Sequence, residues 1–404
     1  MSFVSLSYGL FLLIGVLVYY CIPKKGQWIW LLLLGMFFYA VSSPAGSLFL
    51  LFGIVSSYLY GMYCSRCGKQ HLQKKKKLWL AVAIFANLFL LLFFKVFLRL
   101  PFLAGGFWQR FAAIVPIGIS FYTLQIIAYM VDVQKGKIEP ERNLLRYALF
   151  VSFFPQILQG PIPRFKQLSG QFQKEHRFVY TRFIESLMLM LWGFFQKLVV
   201  ADNAAIIVNR IFGEYETYGG VYVLIGAFLY SIQLYADFAG CVCIARGSAG
   251  LFDIHLIDNF DHPYFSCSVK EFWGRWHISL SSFLKDYVYI PLGGNRKGKL
   301  RKYINLLLTF LVSGIWHGAG LSFLVWGMLH GLYQIAEDAL APVLTSLAEK
   351  LHIRTKTASF RLLLQIKTFV LVAFAWIFFR ADSVRMALHM CRSVVTDRNL
   401  YVLF

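Results

Sequence analysis

The chain has 404 residues, 58% hydrophobic, 18% aromatic and only 15% charged, and its mean hydropathy of +0.61 excludes an ordinary soluble domain. A formal charge of +21 would point to nucleic acid in a soluble protein, but here Lys and Arg crowd into short loops between apolar runs, as in the cytoplasmic loops of membrane proteins. The composition describes an all-α polytopic membrane protein without a nucleic-acid partner.

Apolar runs long enough to span hydrocarbon, which takes about 20 helical residues, lie at 3–22, 48–63, 78–98, 111–133, 183–200, 221–244, 303–315 and 362–379. Shorter or interrupted runs lie at 28–41, 144–158 and 321–335. The pattern predicts about ten or eleven membrane segments, some of them re-entrant. The first run lacks a basic start and a small-residue cleavage site, so it reads as a retained helix. Lys24-Lys25, then Arg66, Lys69 and Lys74 through Lys77, then the basic stretches 135–182 and 296–302 read as cytoplasmic, and Glu214-Tyr215-Glu216 as outside. These assignments start Met1 outside.

Seven cysteines, scattered mostly through apolar segments, give no disulfide framework. Cys64-Ser65-Arg66-Cys67 followed by His71 has part of a metal-ligand spacing but no fourth ligand nearby, so it reads as reduced thiols beside a basic loop, with no metal. No period of 20–50 residues repeats and no Pro- or Ser-rich linker divides the chain, which argues for one membrane domain over 1–404 and against a transporter built from repeats.

Two regions interrupt the helices. In Phe153-Phe154-Pro155-Gln156-Ile157-Leu158-Gln159-Gly160-Pro161-Ile162-Pro163-Arg164-Phe165, three prolines and a glycine forbid a plain spanning helix. Irregular backbone at membrane depth survives only when buried in protein or facing a watery cavity, so this segment reads either as a funnel lining or re-entrant loop, or as a simple interfacial loop. The stretch 253–302 mixes aromatics with charges and suits helices lying at the interface, facing the cytoplasm.

His277 lies in that second region, in Trp273-Gly274-Arg275-Trp276-His277-Ile278-Ser279. His317 follows the apolar run Leu311-Val312-Ser313-Gly314-Ile315-Trp316. An imidazole kept from water there stays neutral near pH 7 with a lone pair able to accept a proton, the condition of a general base. A helix starting near Tyr303 carries it roughly 20 Å from the cytoplasmic boundary. If the interfacial helices fold back into the bundle, the two rings can face one narrow passage. A lone membrane histidine can also serve only to bond a neighbouring helix, but Gly314, Gly318 and Gly320 allow close backbone or ligand approach beside His317. His330 reads as a supporting or packing residue. Lys95 and Lys197 read as snorkelling cations. Asp237, an acid within an apolar run, needs a partner, which is either a catalytic ring or a structural cation such as Arg246.

Ser279, Ser281 and Ser282 lie near His277, but no Gly-x-Ser-x-Gly elbow is present, nor a Walker or dinucleotide loop. Pro291-Leu292-Gly293-Gly294-Asn295-Arg296-Lys297-Gly298-Lys299 is a tight glycine turn carrying cations. It reads either as a phosphate cradle for a cytosolic cosubstrate, through Asn295, Arg296 and Lys297, or as a loop that only sets topology.

These residues resemble the membrane-bound O-acyltransferase family, most closely its bacterial branch around alginate O-acetyltransferase. The resemblance rests on Phe154-Pro155-Gln156 with Gln159-Gly160-Pro161-Ile162, Tyr235 to Gly240, Asn259-Phe260-Asp261-His262-Pro263-Tyr264, the block from Glu271 to Asn295, and Trp316-His317-Gly318 with His330-Gly331. It covers most of the chain and implies helices around a central funnel or tunnel, with His317 as the essential base and His277 as a second family position. The Pro-Leu-Gly-Gly-Asn turn separates the chain from the cousin that transfers D-alanine to teichoic acid. Two departures stand out: Cys241-Val242-Cys243 replaces a Tyr-Ser-Asp run, and relatives tend to continue past Phe404, so one or two terminal helices are expected to be missing.

The resemblance implies transfer of an acetyl group from a cytosolic thioester, acetyl-CoA, across a bacterial plasma membrane to an extracytoplasmic polysaccharide. The acceptor is reached directly or through a serine on a partner acyl-acceptor protein. His317 takes the hydroxyl proton, and His277 orients the donor or stabilises the oxyanion. D-alanyl transfer, and a proton-coupled carrier or channel, are the competing readings.

Overall fold

The computed structural model describes residues 1–66, 73–99 and 115–397. Its helices, in chain order, are α1 (Leu6–Cys21), α2 (Gln27–Ser42), α3 (Ser47–Arg66), α4 (Gln73–Lys95), α5 (Ile119–Gln134), α6 (Leu144–Ser152), α7 (Phe154–Ile157), α8 (Phe165–Phe172) and α9 (Tyr180–Phe194). A π-helical stretch, Phe195–Ala201, follows, then α10 (Asp202–Gly213), α11 (Val221–Gly250), α12 (Val269–Arg275), α13 (Ile278–Leu284), α14 (Gly298–His317), α15 (Leu321–Lys350), α16 (Ala358–Arg380) and α17 (Val384–Thr396). Side-chain caps set several starts: Ser5 accepts from the Tyr8 amide, Asn143 from Leu145 and Arg146, Thr357 from Phe360, and Ser383 from Met386.

Every apolar run coincides with a helix in whole or in part, except that residues 111–114 of one run lie outside the described residues, as do Lys69, Cys67 and His71. Among the described residues, five helices are long and apolar enough to cross a membrane: Ser47–Arg66, Lys74–Lys95, Tyr180–Gly213, Val221–Gly250 and Ala358–Arg380. The chain is thus a multi-pass membrane protein whose remaining apolar helices are shorter or interrupted, as at α6–α7, where Phe153 leaves helical geometry and Pro155 follows.

The described residues form two compact units, each interrupted in sequence. The first comprises Met1–Phe194 and Gly240–Ile257. Its core contains Tyr8, Phe38, Phe153 and Phe154, and the Tyr8 hydroxyl donates to Ser248 Oγ at 2.8 Å. The proline-broken stretch is packed inside it: Phe153 through Ile157, and Gly160 through Pro163, are buried, and Gln156 and Gln125 both donate to the Phe150 carbonyl. That burial favours a segment embedded in protein over a surface loop. Gly118, at φ +71°, lies so close to the Ile157 carbonyl that any side chain would collide with it. Beside this core, Asp253 accepts from Arg182 at 2.8 Å and lies 3.0 Å from His176 Nδ1. Burial alone would raise the Asp253 carboxyl; the hydrogen bonds from His176 and Arg182 and their charges outweigh it and hold it below its usual range.

The second unit comprises Phe195–Ala239 and Asp258–Phe404. Its core is an aromatic layer including Phe272, Trp273, Trp276, Trp326 and Trp376. The helices α14 and α15 meet closely because Gly314 and Gly327 carry no Cβ: one added at Gly314 would sit 2.5 Å from the Phe323 carbonyl, and one at Gly327 would strike that of Phe310.

Candidate functional site

Both sequence-selected histidines belong to the second unit. The stretch 258–284 carries two short helices, α12 and α13, joined at His277. Ser268 caps α12 by accepting from the Glu271 amide at 3.0 Å, and Glu271 pairs with Arg275 at 2.7 Å. The first amide of α12, Val269, donates to Glu337 on α15 at 2.9 Å, and Glu337 pairs with Lys367 on α16 at 2.7 Å. This carboxylate sits where the α12 dipole is positive and ties three helices together.

His277 itself is in left-handed geometry, φ +45° and ψ +54°, which a side-chain-bearing residue adopts only under constraint. Asn259 supplies that constraint. Its carbonyl accepts from Ile278 and its Oδ1 from Ser279, both at 3.0 Å, so a residue remote in sequence caps the start of α13. Phe260 and Trp276 form an isolated antiparallel bridge alongside. The His277 ring is 2% exposed, with Phe238 edge-on at 4.7 Å and Trp316 at 6.2 Å. Burial pushes its pKa down to about 3, so the ring is neutral at pH 7, and its Nδ1 has no protein partner among the described residues.

His317 is the last residue of α14, whose start at Gly298 rather than near Tyr303 places the ring about 30 Å along the helix from its basic end. Trp316 at 4.8 Å, Trp326 at 5.0 Å and Phe379 at 5.1 Å enclose it, all near perpendicular. It is half-buried, not sealed. The stretch 258–284 folds back, so that His277 lies at the His317 end of α14, with Trp316 packed on both rings. The neighbouring glycines serve helix packing: a Cβ at Gly318 would strike the Phe323 ring, and one at Gly320 would lie 3.2 Å from Ser322 Oγ. Gly318, like Gly314, therefore testifies to the α14–α15 contact, whereas the crowding at Gly320 is local to the start of α15. His330 is fully buried, and its Nδ1 accepts from Trp273 Nε1 at 3.2 Å, which leaves the ring proton on Nε2.

A cavity of about 750 Å³ opens beside this layer. Its apolar wall includes Trp273, Ile278, Leu306 and Phe310, and its polar wall includes Lys270, Lys285, Lys302, Tyr303, Glu337 and Asp338. Lys302 and Tyr303 both reach Asp338. Asn295 lines the cavity, whereas Arg296 and Lys297 are exposed outside its lining. The turn holding Asn295 is fixed by Asn305, buried in α14, which donates to the Gly294 carbonyl at 2.9 Å; Gly293 and Gly294 sit at φ +114° and +56°. Neither His277 nor His317 lines the cavity, but Ile278 follows His277, and Trp273 donates to His330. Sequence reasoning did not single out Tyr303, Glu337 or Asp338. The signal was two acids on a helix that begins as an apolar run.

Lys197 does not snorkel. Its ammonium lies 2.8 Å from Asp202 and 2.9 Å from Asp237, so Lys197 is the partner that Asp237 requires.

The sequence model of the membrane-bound O-acyltransferase family matches residues 134–363. The probable alginate O-acetylase AlgI of Pseudomonas syringae pv. tomato is 39% identical over 275 residues, covering 68% of this chain and 50% of that protein. The peptidoglycan O-acetyltransferase of Helicobacter pylori is 34% identical over 420 residues, 95% of this chain and 78% of that protein. The teichoic acid D-alanyltransferase of Streptococcus thermophilus is 29% identical over 236 residues, 55% of this chain and 57% of that protein. The chain spans about half the length of the alginate O-acetylase relatives it matches. On a family match over more than half of its residues, across the stretch that carries both histidines and the cavity, this chain belongs to the membrane-bound O-acyltransferase family.

Proposed function

We propose that the chain is an O-acyltransferase of the bacterial plasma membrane that moves an acetyl group from acetyl-CoA to a hydroxyl of an extracytoplasmic polysaccharide, directly or through a serine of a partner protein. The observation that carries this reading is the convergence of His277 and His317 on Trp316, in the unit that also holds a cavity of about 750 Å³ lined by Lys270, Lys285 and Lys302 as well as Glu337 and Asp338. The basic loop 296–302 argues for a cavity mouth in the cytoplasm, and the same rule starts Met1 outside.

The donor's phosphates meet Lys270 and Lys285, which line the cavity together with Asn295. His317 accepts the hydroxyl proton as the oxygen attacks the thioester carbonyl, and the thiolate leaves toward the cavity. His277, too weak a base to take that proton at pH 7, orients the donor or hydrogen-bonds the developing oxyanion. The acetyl-transferring relatives are more similar than the D-alanyl-transferring ones, at 34–39% against 28–29% identity, and this favours acetyl over D-alanyl.

The test is incubation of the purified chain with labelled acetyl-CoA and a hydroxyl acceptor. Acceptor-dependent thiol release that disappears in His317→Ala supports the reading; no release by the unmodified chain, or full release by the variant, removes it.

A further inference from the structure

His330 is a fully buried histidine to which the transfer reading gives no part. Its ring lies between those of Phe272 and Phe310, with centroids at 6.4 and 6.2 Å and planes 5° and 24° from parallel, and Trp326 and Trp376 stand at 5.2 and 5.9 Å. A phenyl ring would suit such a place and bring no polar group to satisfy. An imidazole gives up its hydration there, and its Nε2 finds no hydrogen-bond partner among the described residues. What it gains is one bond, from Trp273 Nε1 to its Nδ1 at 3.2 Å.

The donor of that bond belongs both to the aromatic layer and to the cavity wall. Trp273 stands on α12, which α15 grips at two points. Glu337 accepts from the Val269 amide in the first turn of α12, and His330, two turns earlier on the same face of α15, accepts from the Trp273 indole near its end. The first bond places the short helix. The second fixes the direction of one ring, and that ring faces the cavity.

We infer that His330 is a positioning residue: through Nδ1 it holds Trp273 in the orientation that shapes the apolar wall of the donor cavity, and so sets how well the donor binds. Without that acceptor the indole N–H is orphaned inside the protein. The indole then satisfies it by turning toward water in the cavity, which takes room from the donor. His330 touches neither reactant, and its effect passes through the indole. That the cavity holds the acyl donor rests on the acetyl-transfer reading above; the hold of His330 on Trp273 does not.

Two measurements on the full chain in micelles test it. With isotopically labelled tryptophan, the NMR resonance of the Trp273 indole, identified by its loss in Trp273→Phe, reports hydrogen exchange at Nε1. His330→Phe keeps the ring stack but removes the acceptor and should speed that exchange by about tenfold, whereas His330→Asn, whose Oδ1 can stand in for Nδ1, should hold it within about threefold. In turnover, the acetyl-CoA KM should rise by about tenfold in His330→Phe and by less than about threefold in His330→Asn, with kcat within about threefold in both. A merely structural role would reduce the amount of active enzyme, and hence the apparent kcat, and leave KM alone. Exchange at Trp273 unchanged in His330→Phe overturns the inference, as does an unchanged KM in that variant when the unmodified chain turns over, or an Asn variant as impaired as the Phe variant. An unmodified chain that protects the indole but never consumes acetyl-CoA sinks the acetyl-transfer reading and leaves the hold on Trp273 standing. Should His330→Phe aggregate, His330→Leu, which also lacks the acceptor, decides the outcome by the same criteria.

Discussion

The surroundings of His277 and His317 differ in kind although one indole touches both. His277 is immobilised at a left-handed junction, capped by Asn259 and sealed from solvent, while His317 ends a long helix, half-open, in a collar of three aromatic rings. The first niche fixes a neutral ring in direction at the expense of its basicity. The second leaves part of its ring open. Two histidines around one indole thus need not act alike, since one niche fixes its ring and the other leaves its ring accessible.

That contrast is broken most directly at His317. His317→Ala should lower transfer by about 10² to 10⁴ with protein level and membrane insertion unchanged, and activity within a few fold of the unmodified chain would reverse the assignment. Removing the shared indole by Trp316→Ala should cost about 10² in kcat, the scale of a misplacement near 1 Å; an effect on acetyl-CoA KM alone would mean that Trp316 serves the donor instead. Asn259→Ala removes the Ser279 cap and should cost about 1 kcal/mol of stability, read as a lowered Tm in detergent. Its loss of kcat should exceed what that destabilisation explains, and equal losses would make Asn259 merely structural.

The smallest effect concerns pH. His277 is buried neutral, with a folded pKa of about 3 against 6.5 unfolded, so the unfolded chain binds its proton first as pH falls. Its stabilising contribution is complete above 6.5, declines progressively below it and levels off near 3. Unfolding in detergent should therefore become easier with acidification over that window, and His277→Gln should flatten the slope. Between pH 7 and 8 the contribution of His277 to the rate is flat; a rate limb in that range that vanishes in His277→Gln would show the ring titrating after all.

Much of this was legible in the chain. Apolar runs located the helices because lipid demands internally satisfied backbone, and Pro155, Pro161 and Pro163 marked the break that the structure places inside the first unit. The glycines around His317 signal close backbone or ligand approach, and the structure shows the backbone approach at Gly314, but the sequence offers no way to see that Phe323 is what presses on both Gly314 and Gly318. Lys197 looked like a snorkelling end residue, since its two acidic partners are five and forty residues away and only tertiary packing joins the farther one. The turn that brings Asn295 to the cavity was legible from its glycines, but the Glu337 bridge to the start of α12 and the Asp338 link to Lys302 were not, because each spans more than thirty residues and neither leaves a local pattern.

The interleaving of the two compact units has a practical consequence for dissecting the molecule. The chain leaves the first unit between Phe194 and Phe195, inside one long helix, and re-enters it between Ala239 and Gly240, inside another. No single scission can therefore release either unit, and a reporter fused at those crossings would interrupt a hydrogen-bonded ladder. The turns at 214–220 and 351–357 lie between helices, and insertions for labelling or split-protein complementation belong there.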